Sequence, residues 1–391
     1  MGVKAPNRTS DYTKGYRVMI YPTEEQKAEI DRILHTTRAV HNLGLEIQIK
    51  NYKNGGKYLS LFTMNKLFTK LRNGNEYPWL QNVSGSIIRE ELRRVDDAFI
   101  KFFNKITRFP RFKSRKRGKK SFGSRSDRTY IRGEYIQISG INGLVLAKDH
   151  HIPEGVRLWG TTVTTDGYDN YWFSCKVDTD PIDMSNIPKS EAIGVDVGIV
   201  NMMTTSDGEM YKFSDVSRLE KKKKRLQRRL SRDYQMYYQQ SLDTRTKYED
   251  IPKSKNHQKR QTALYKVCSK IFNKRSTELH TATKRIVDKN PSAIVIENIS
   301  VRKMLREEGS WIRKYAPVMM FYEMHRQIKY KAKLRNIPVI IAPEKYPSSQ
   351  ICNCCGNKGY FNHRRFICPT CGYEEDRDIN AAKNLRNLVY Q

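Results

Sequence analysis

Cys352-Asn353-Cys354-Cys355 and Cys368-Pro369-Thr370-Cys371, followed at once by Asp376-Arg377-Asp378-Ile379-Asn380-Ala381-Ala382, form the stretch from which the chain is best read. Two C-x2-C knuckles twelve residues apart let four thiolates converge tetrahedrally on zinc. Gly356 and Gly372 each follow a knuckle, where the backbone must turn past the sulfurs. The spacing predicts a structural zinc ribbon held by Cys352, Cys355, Cys368 and Cys371, with a redox dithiol as the alternative. Cys354 would turn the first knuckle into C-x-C and is the poorer ligand. Five of the seven cysteines lie between 352 and 371, as expected of a metal site in a reducing compartment rather than a disulfide framework. His363 reads as a surface residue of the ribbon hairpin, and Cys175 and Cys268 as inert thiols.

Working outward, Asp378 opens a helix beside this ribbon, and two further acids sit in apolar strands upstream. From Glu191 the pattern is α/β. Ile193-Gly194-Val195-Asp196-Val197-Gly198 reads as a strand carrying one acid, Asn201 to Thr205 as a second strand, and Ala293-Ile294-Val295-Ile296-Glu297 as a buried strand ending in an acid. Long basic helices over Leu219–Gln240 and Lys259–Asp288 lie between them; a helix near Met319–Leu334 and a strand over Pro338–Ala342 follow. A carboxylate embedded in an apolar strand is costly unless it faces a cation. Any one of these acids alone could be a turn residue or an N-cap. Together, Asp196, Glu297 and Asp378 point to divalent metal and to two-ion phosphodiester hydrolysis.

The N-terminal half has two textures. Tyr16–Tyr21 predicts a short strand, and Thr23-Glu24-Glu25-Gln26 a capping box. A helix with apolar positions Ile30, Ile33, Leu34, Val40, Leu43 and Ile47 follows, then helices over Leu59–Leu71 and Ile87–Ile106. From Phe112 to about Asp183, short alternating segments predict a β-rich, barrel-like unit. Because Tyr16–Tyr21 resembles those later strands, the helices read as an insertion into the β unit.

Lys and Arg number 73 against 41 Asp and Glu, a formal charge of +32 over 391 residues. That excess implies a polyanionic partner, nucleic acid first. Its peaks are Lys113–Lys120 and Lys221–Arg232, the latter predicted to touch a nucleic-acid backbone. The 23 tyrosines, including Tyr234, Tyr237, Tyr238 and Tyr248, read mainly as packing residues with base stacking as the alternative. No apolar run reaches membrane-spanning length and residues 1–14 lack a signal peptide's hydrophobic region. The expectation is an intracellular soluble protein with no membrane partner.

GVDVG at 194–198, VIEN at 295–298, Pro347-Ser348-Ser349-Gln350-Ile351-Cys352 and the DRDINAAKN ending at Asn384 resemble the RuvC-type nuclease and zinc ribbon of the TnpB family of transposon-encoded proteins. YPTEEQK at 21–27, Ala98-Phe99 with Phe102-Phe103, and Pro110–Ser114 extend the likeness over nearly the whole chain. The resemblance implies an RNA-guided DNA endonuclease related to CRISPR type V effectors. It implies a multidomain α+β architecture: a β-barrel wedge domain (1–22 and 109–190), a helical recognition domain (23–108), an RNase H-like nuclease domain (191–346 and 375–391) and the inserted zinc ribbon (347–374), which binds target nucleic acid. It assigns Asp196, Glu297 and Asp378 as the catalytic, Mg²⁺-binding acids, with Mn²⁺ as a substitute ion and Asp376 as the fallback for Asp378. It further implies a guide RNA derived from the transposon end, a double-stranded DNA target beside a short flanking motif, and a monomeric ribonucleoprotein of the prokaryotic cytoplasm, nucleoid-associated when bound to DNA. The helix over Leu59–Leu71, with Asn65, Lys66 and Lys70, is where flanking-motif contacts are expected. The alternatives are a CRISPR effector, a guided repressor, which should lack one of the acids, a strand-transfer transposase, and a structural RNA-binding protein, which leaves the strand acids unexplained.

Overall fold

The computed structural model describes residues 12–390 apart from 115–119, 167, 199, 299–319 and 345. Most of the basic run at 113–120 and the start of the helix expected from Met319 lie outside the described residues. The chain divides into two units, Met1–Asp180 and Pro181–Gln391.

In the first unit, β1 (Thr13–Ile20) precedes three helices, α1 (Glu24–Lys53), α2 (Leu61–Asn73) and α3 (Gly85–Phe103). Six short strands follow: β2 (Lys120–Gly123), β3 (Tyr130–Arg132), β4 (Tyr135–Gln137), β5 (Leu144–Leu146), β6 (Leu158–Thr165) and β7 (Tyr171–Asp178). The capping box forms as its residues predict: Gln26 N–H donates to Thr23 Oγ1 at 3.3 Å and Thr23 N–H to Gln26 Oε1 at 3.1 Å. One sheet runs β1-β7-β6-β2 and a second β3-β4-β5. β1 therefore pairs with a strand some 150 residues away, from Thr13 opposite Asp178 to Ile20 opposite Tyr171, and the helices lie between β1 and β2 in the chain. No ladder among the described strands closes the two sheets into a single barrel; Tyr21 and Leu146 bridge the ends of β1 and β5. Ile30, Ile33 and Leu92 of the helices share one core with Phe122, Ile136 and Phe173 of the sheets.

Among the described residues of this unit, one acid is buried. Glu91 of α3 is 1% exposed and is met by His41 Nδ1 at 2.9 Å, by Arg94 Nη1 at 3.4 Å and by Lys113 Nζ. Burial pushes its carboxyl up, but the His41 hydrogen bond and the Lys113 and Arg94 charges outweigh burial and hold it below the ordinary value.

The second unit contains β8 (Ile193–Asp196), β9 (Met203–Thr205), β10 (Met210–Tyr211), α4 (Ser217–Asp243), α5 (Lys255–Asp288), β11 (Ile294–Ile296), α6 (Phe321–Lys333) and β12 (Val339–Ile341). The ribbon strands β13 (Tyr360–Asn362), β14 (Arg365–Ile367) and β15 (Glu374–Asp376) then lead into α7 (Arg377–Asn387). The main sheet runs β10-β9-β8-β11-β12. β8, β11 and β12 are parallel, whereas β9 and β10 return antiparallel. Alternation along the strands sorts their side chains between two faces. Ile193, Val195, Ile294 and Ile296 pack with Leu279 and Ile286 of α5 and Met324 and Ile328 of α6. Val295 faces the other way, against Leu385 of α7. The basic helices α4 and α5 meet through Leu226, Val267 and Ile271.

Several expected elements shift at their edges: the strand expected over Tyr16–Tyr21 runs Thr13–Ile20, and the helix expected over Ile87–Ile106 runs Gly85–Phe103. The strand expected from Asn201 begins at Met203, and the helix expected from Leu59 begins at Leu61 because Ser60 caps it, accepting the Thr63 N–H at 3.3 Å. Where an apolar pattern fades into polar residues, capping chemistry rather than periodicity sets the boundary.

Candidate functional site

Parallel pairing sets Ile193 opposite Ile294 and Val195 opposite Ile296. The next residues, Asp196 and Glu297, thus leave the adjacent C-terminal ends of β8 and β11 at the same level. Parity then fixes their face: Asp196 shares that of Gly194, and Glu297 that of Val295, the side covered by α7. Gly194 explains how the helix gets so close. A Cβ there would overlap the Ala382 carbonyl oxygen and crowd the Arg386 N–H, so only glycine lets the α7 backbone rest on β8. The first turn of α7 then delivers Asp378 beside the loop after β8, where a Cβ on Gly198 would lie 4.0 Å from Asp378 Oδ2.

The two acids that the sequence left as alternatives occupy different places. Asp376 is the N-cap of α7, its Oδ1 accepting the N–H groups of Asp378 at 2.9 Å and Ile379 at 3.4 Å. Asp378 turns toward the sheet and accepts Asn201 Nδ2 at 3.0 Å on Oδ2, which Arg364 also meets. Asp196, Glu297 and Asp378 are each partly exposed, so the place is desolvated yet reachable. Burial, and then the charges of Glu297 and Asp378, push the Asp196 carboxyl well above the ordinary carboxylate range, with Arg377 opposing. Burial likewise raises Glu297 against Arg377. Such a like-charged face is what a divalent cation neutralises. Among the described residues only the cysteines gather ligand atoms within 4.8 Å of one another; the carboxylates are spread more widely.

The ribbon brings its four sulfurs together. Cys352 and Cys371 Sγ are 3.6 Å apart, and Cys355 and Cys368 Sγ 3.5 Å, near the spacing of about 3.8 Å that tetrahedral Zn–S bonds of about 2.3 Å impose. Gly356 and Gly372 take φ of 76° and 72°, the left-handed turn expected after each knuckle. The N–H groups of Gly356 and Gly372 donate to the Cys352 and Cys368 carbonyls at 2.9 and 3.0 Å. Cys354 is exposed and stands outside the cluster. These four cysteines could hold zinc, and the donor set admits it.

Two asparagines of DRDINAAKN, given no individual role by the sequence, dock the ribbon. Asn380 accepts the Asn353 N–H at 3.1 Å and donates to the Ile351 carbonyl at 2.8 Å, while Asn384 donates to Ser348 and Ile351, each at 2.7 Å. Asn201 and Arg364 were likewise missed. Asn201 sits five residues past Asp196 in a segment that read as strand, and Arg364 looks like one more charge at a hairpin tip; no sequence signal marks either.

Away from the acids, the Lys221–Arg232 run covers the solvent side of α4, with Leu226 turned inward. Tyr237 is buried, whereas Tyr234 and Tyr238 are about half exposed and stack at 6.0 Å. Lys66 on α2 lies over the Phe62 ring at 4.4 Å. No helix among the described residues is long and apolar enough to cross a membrane.

Fold and site together define a protein with an acid-lined α/β sheet beside a four-cysteine ribbon. Comparisons with known proteins sharpen this. The family described as "Probable transposase" matches residues 173–308, "Helix-turn-helix domain" matches 12–57, and "Cas12f1-like, TNB domain" matches 321–385. A Streptomyces pristinaespiralis protein named as an RNA-guided DNA endonuclease is 28% identical, over 95% of this chain and 88% of its own. An Escherichia coli K12 protein named as the RNA-guided DNA endonuclease InsQ is 26% identical, over 95% of this chain and 91% of its own. A solved mini RNA-guided CRISPR endonuclease aligns over 97% of this chain and 92% of its own, with TM-score 0.45 and 10% identity. The chain is thus similar over nearly its whole length to proteins named as RNA-guided DNA endonucleases, and three family models match successive parts of it.

Proposed function

We propose that this chain is an RNA-guided DNA endonuclease of an insertion sequence, hydrolysing phosphodiesters of target DNA beside a short flanking motif. The observation that carries the reading is the meeting of Asp196, Glu297 and Asp378 on one face of the sheet, with the Asp196 carboxyl opposed by the other two acids. Asp196, Glu297 and Asp378 would hold Mg²⁺, which when bound supplies an activated water and charge stabilisation at the leaving oxygen. β8 and β11 keep two carboxylates level and rigid, α7 adds the third, and the three together orient the scissile phosphate. A sheet in which an antiparallel β9-β10 extension continues a parallel β8-β11-β12 core supports the RNase H-like, RuvC-type assignment. The two small sheets of the first unit take the wedge role and its helices the recognition role. The charge of +32 suits a guide RNA scaffold and a heteroduplex held by their backbones, with base pairing reading the target sequence. The working particle is a monomer with an RNA from the transposon end, acting on DNA in the prokaryotic cytoplasm, with zinc in the ribbon.

The test is to express the chain with its native flanking DNA, recover the co-purified RNA, and measure Mg²⁺-dependent cutting of DNA matching that RNA, with Asp196→Ala alongside. Cutting confined to matched DNA and lost in the variant supports the reading. Tight matched binding without cutting would replace it with a guided repressor.

A further inference from the structure

Asp378 is the only one of the three acids to reach the site from a helix, and the orientation of its carboxylate is set from outside α7. Its Oδ2 accepts Asn201 Nδ2 at 3.0 Å and is also met by Arg364. The two donors differ in kind. Arg364 stands at the exposed tip of the β13–β14 hairpin, next to His363 with its φ of 53°, and can swing away at little cost. Asn201 is 3% exposed and cannot. Its Nδ2 also lies 3.5 Å from Met210 Sδ, and its Oδ1 is buried with no hydrogen-bond partner among the described residues. A buried amide with one unsatisfied end is expensive to keep for packing alone.

We infer that Asn201 is a positioning residue for the metal-binding centre: by fixing Asp378 Oδ2 it leaves Oδ1 as the oxygen presented to a divalent cation. The inference rests on the proposed acid centre. A carboxylate with one oxygen pinned by a neutral, immobile donor keeps its full charge and loses rotational freedom, so the cation meets a preorganised ligand. Outer partners of this kind typically govern metal affinity by about 10–100-fold. Arg364 contributes to the same oxygen as an exchangeable second donor whose guanidinium also competes with the cation, so its removal has the smaller effect.

The experiment titrates Mn²⁺ into the full-length ribonucleoprotein by electron paramagnetic resonance, comparing wild type with Asn201→Ala, Asn201→Ser, Arg364→Gln and Asp378→Ala. Zinc content and binding of matched DNA serve as folding checks. The expected result is Mn²⁺ affinity weakened about 10–100-fold in both Asn201 variants, less in Arg364→Gln, and cleavage by Asn201→Ala partly restored by raised Mn²⁺. A packing role would lower the active fraction without moving the Mn²⁺ midpoint, and that outcome overturns the inference. If Asn201→Ala fails the folding checks, the Ser variant decides. If Asp378→Ala binds Mn²⁺ like wild type, the acid centre itself is wrong; if only the Asn201 variants bind normally, the positioning role alone fails.

Discussion

Each unit desolvates acid side chains, fully at Glu91 and partly at Asp196, and handles them in opposite ways. Glu91 in the first unit is surrounded by His41, Lys113 and Arg94, which hold its carboxyl below the ordinary value despite burial. Asp196 in the second unit is pushed up by burial and by two acids, with the Arg377 charge opposing. A buried acid matched by the protein's own cations is part of the structure. In the proposed reading, a cluster of acids that repel one another is kept for a cation from outside the chain. The contrast separates a structural carboxylate from a functional one, where burial alone does not.

The strongest way to break that contrast is to neutralise one acid from each region. Asp196→Asn should take guided cleavage to background while leaving the metal-free protein as stable as wild type or more so, because it removes repulsion. Cleavage assays and thermal melts without divalent ions read the two halves of this expectation. Glu91→Gln should do the reverse, since it removes the counter-charge that the buried His41 and the partly exposed Arg94 and Lys113 share: a loss of about 1–3 kcal/mol of stability, seen as a lower denaturant midpoint, with cleavage falling only as the folded fraction falls.

Smaller effects sharpen the geometry. Gly194→Ala places a methyl group against the α7 backbone and should cost about 1–3 kcal/mol by overpacking. Because α7 carries Asp378, the Mg²⁺ concentration needed for cleavage should rise in parallel, and a variant with normal melting and normal metal dependence would show that α7 is not seated through this glycine. The smallest effect is in pH. Glu91 is depressed in the folded state, so its stabilisation is present above its ordinary value of 4.5 and is lost as pH falls through the lower, folded value. Wild type should therefore lose stability across that acid range more steeply than Glu91→Gln, as measured by melts at stepped pH.

The ribbon was legible in the sequence because all four ligands fall within twenty residues and the knuckle glycines mark their own turns. The acids were legible as candidates, since a charge at the end of an apolar strand is conspicuous. Their convergence depends on strand register and on the approach of α7 at Gly194, which are non-local, and the sequence could not separate Asp376 from Asp378 without the cap geometry. Asn201, Arg364 and the ribbon-docking pair Asn380 and Asn384 act through single hydrogen bonds between distant elements, and such bonds leave no periodic trace. Glu91 was invisible for the same reason, since two of its partners, His41 and Lys113, lie on α1 and beyond α3.

The most direct test of the contrast is the melting temperature of the full-length protein titrated with Mg²⁺, in wild type, Asp196→Asn and Glu91→Gln. A cation that binds the folded acid centre raises stability by mass action. The account predicts a Mg²⁺-dependent rise in wild type and in Glu91→Gln, and little or none in Asp196→Asn. An equal rise in all three would mean that Mg²⁺ acts elsewhere and that the repelling acids are not a metal site.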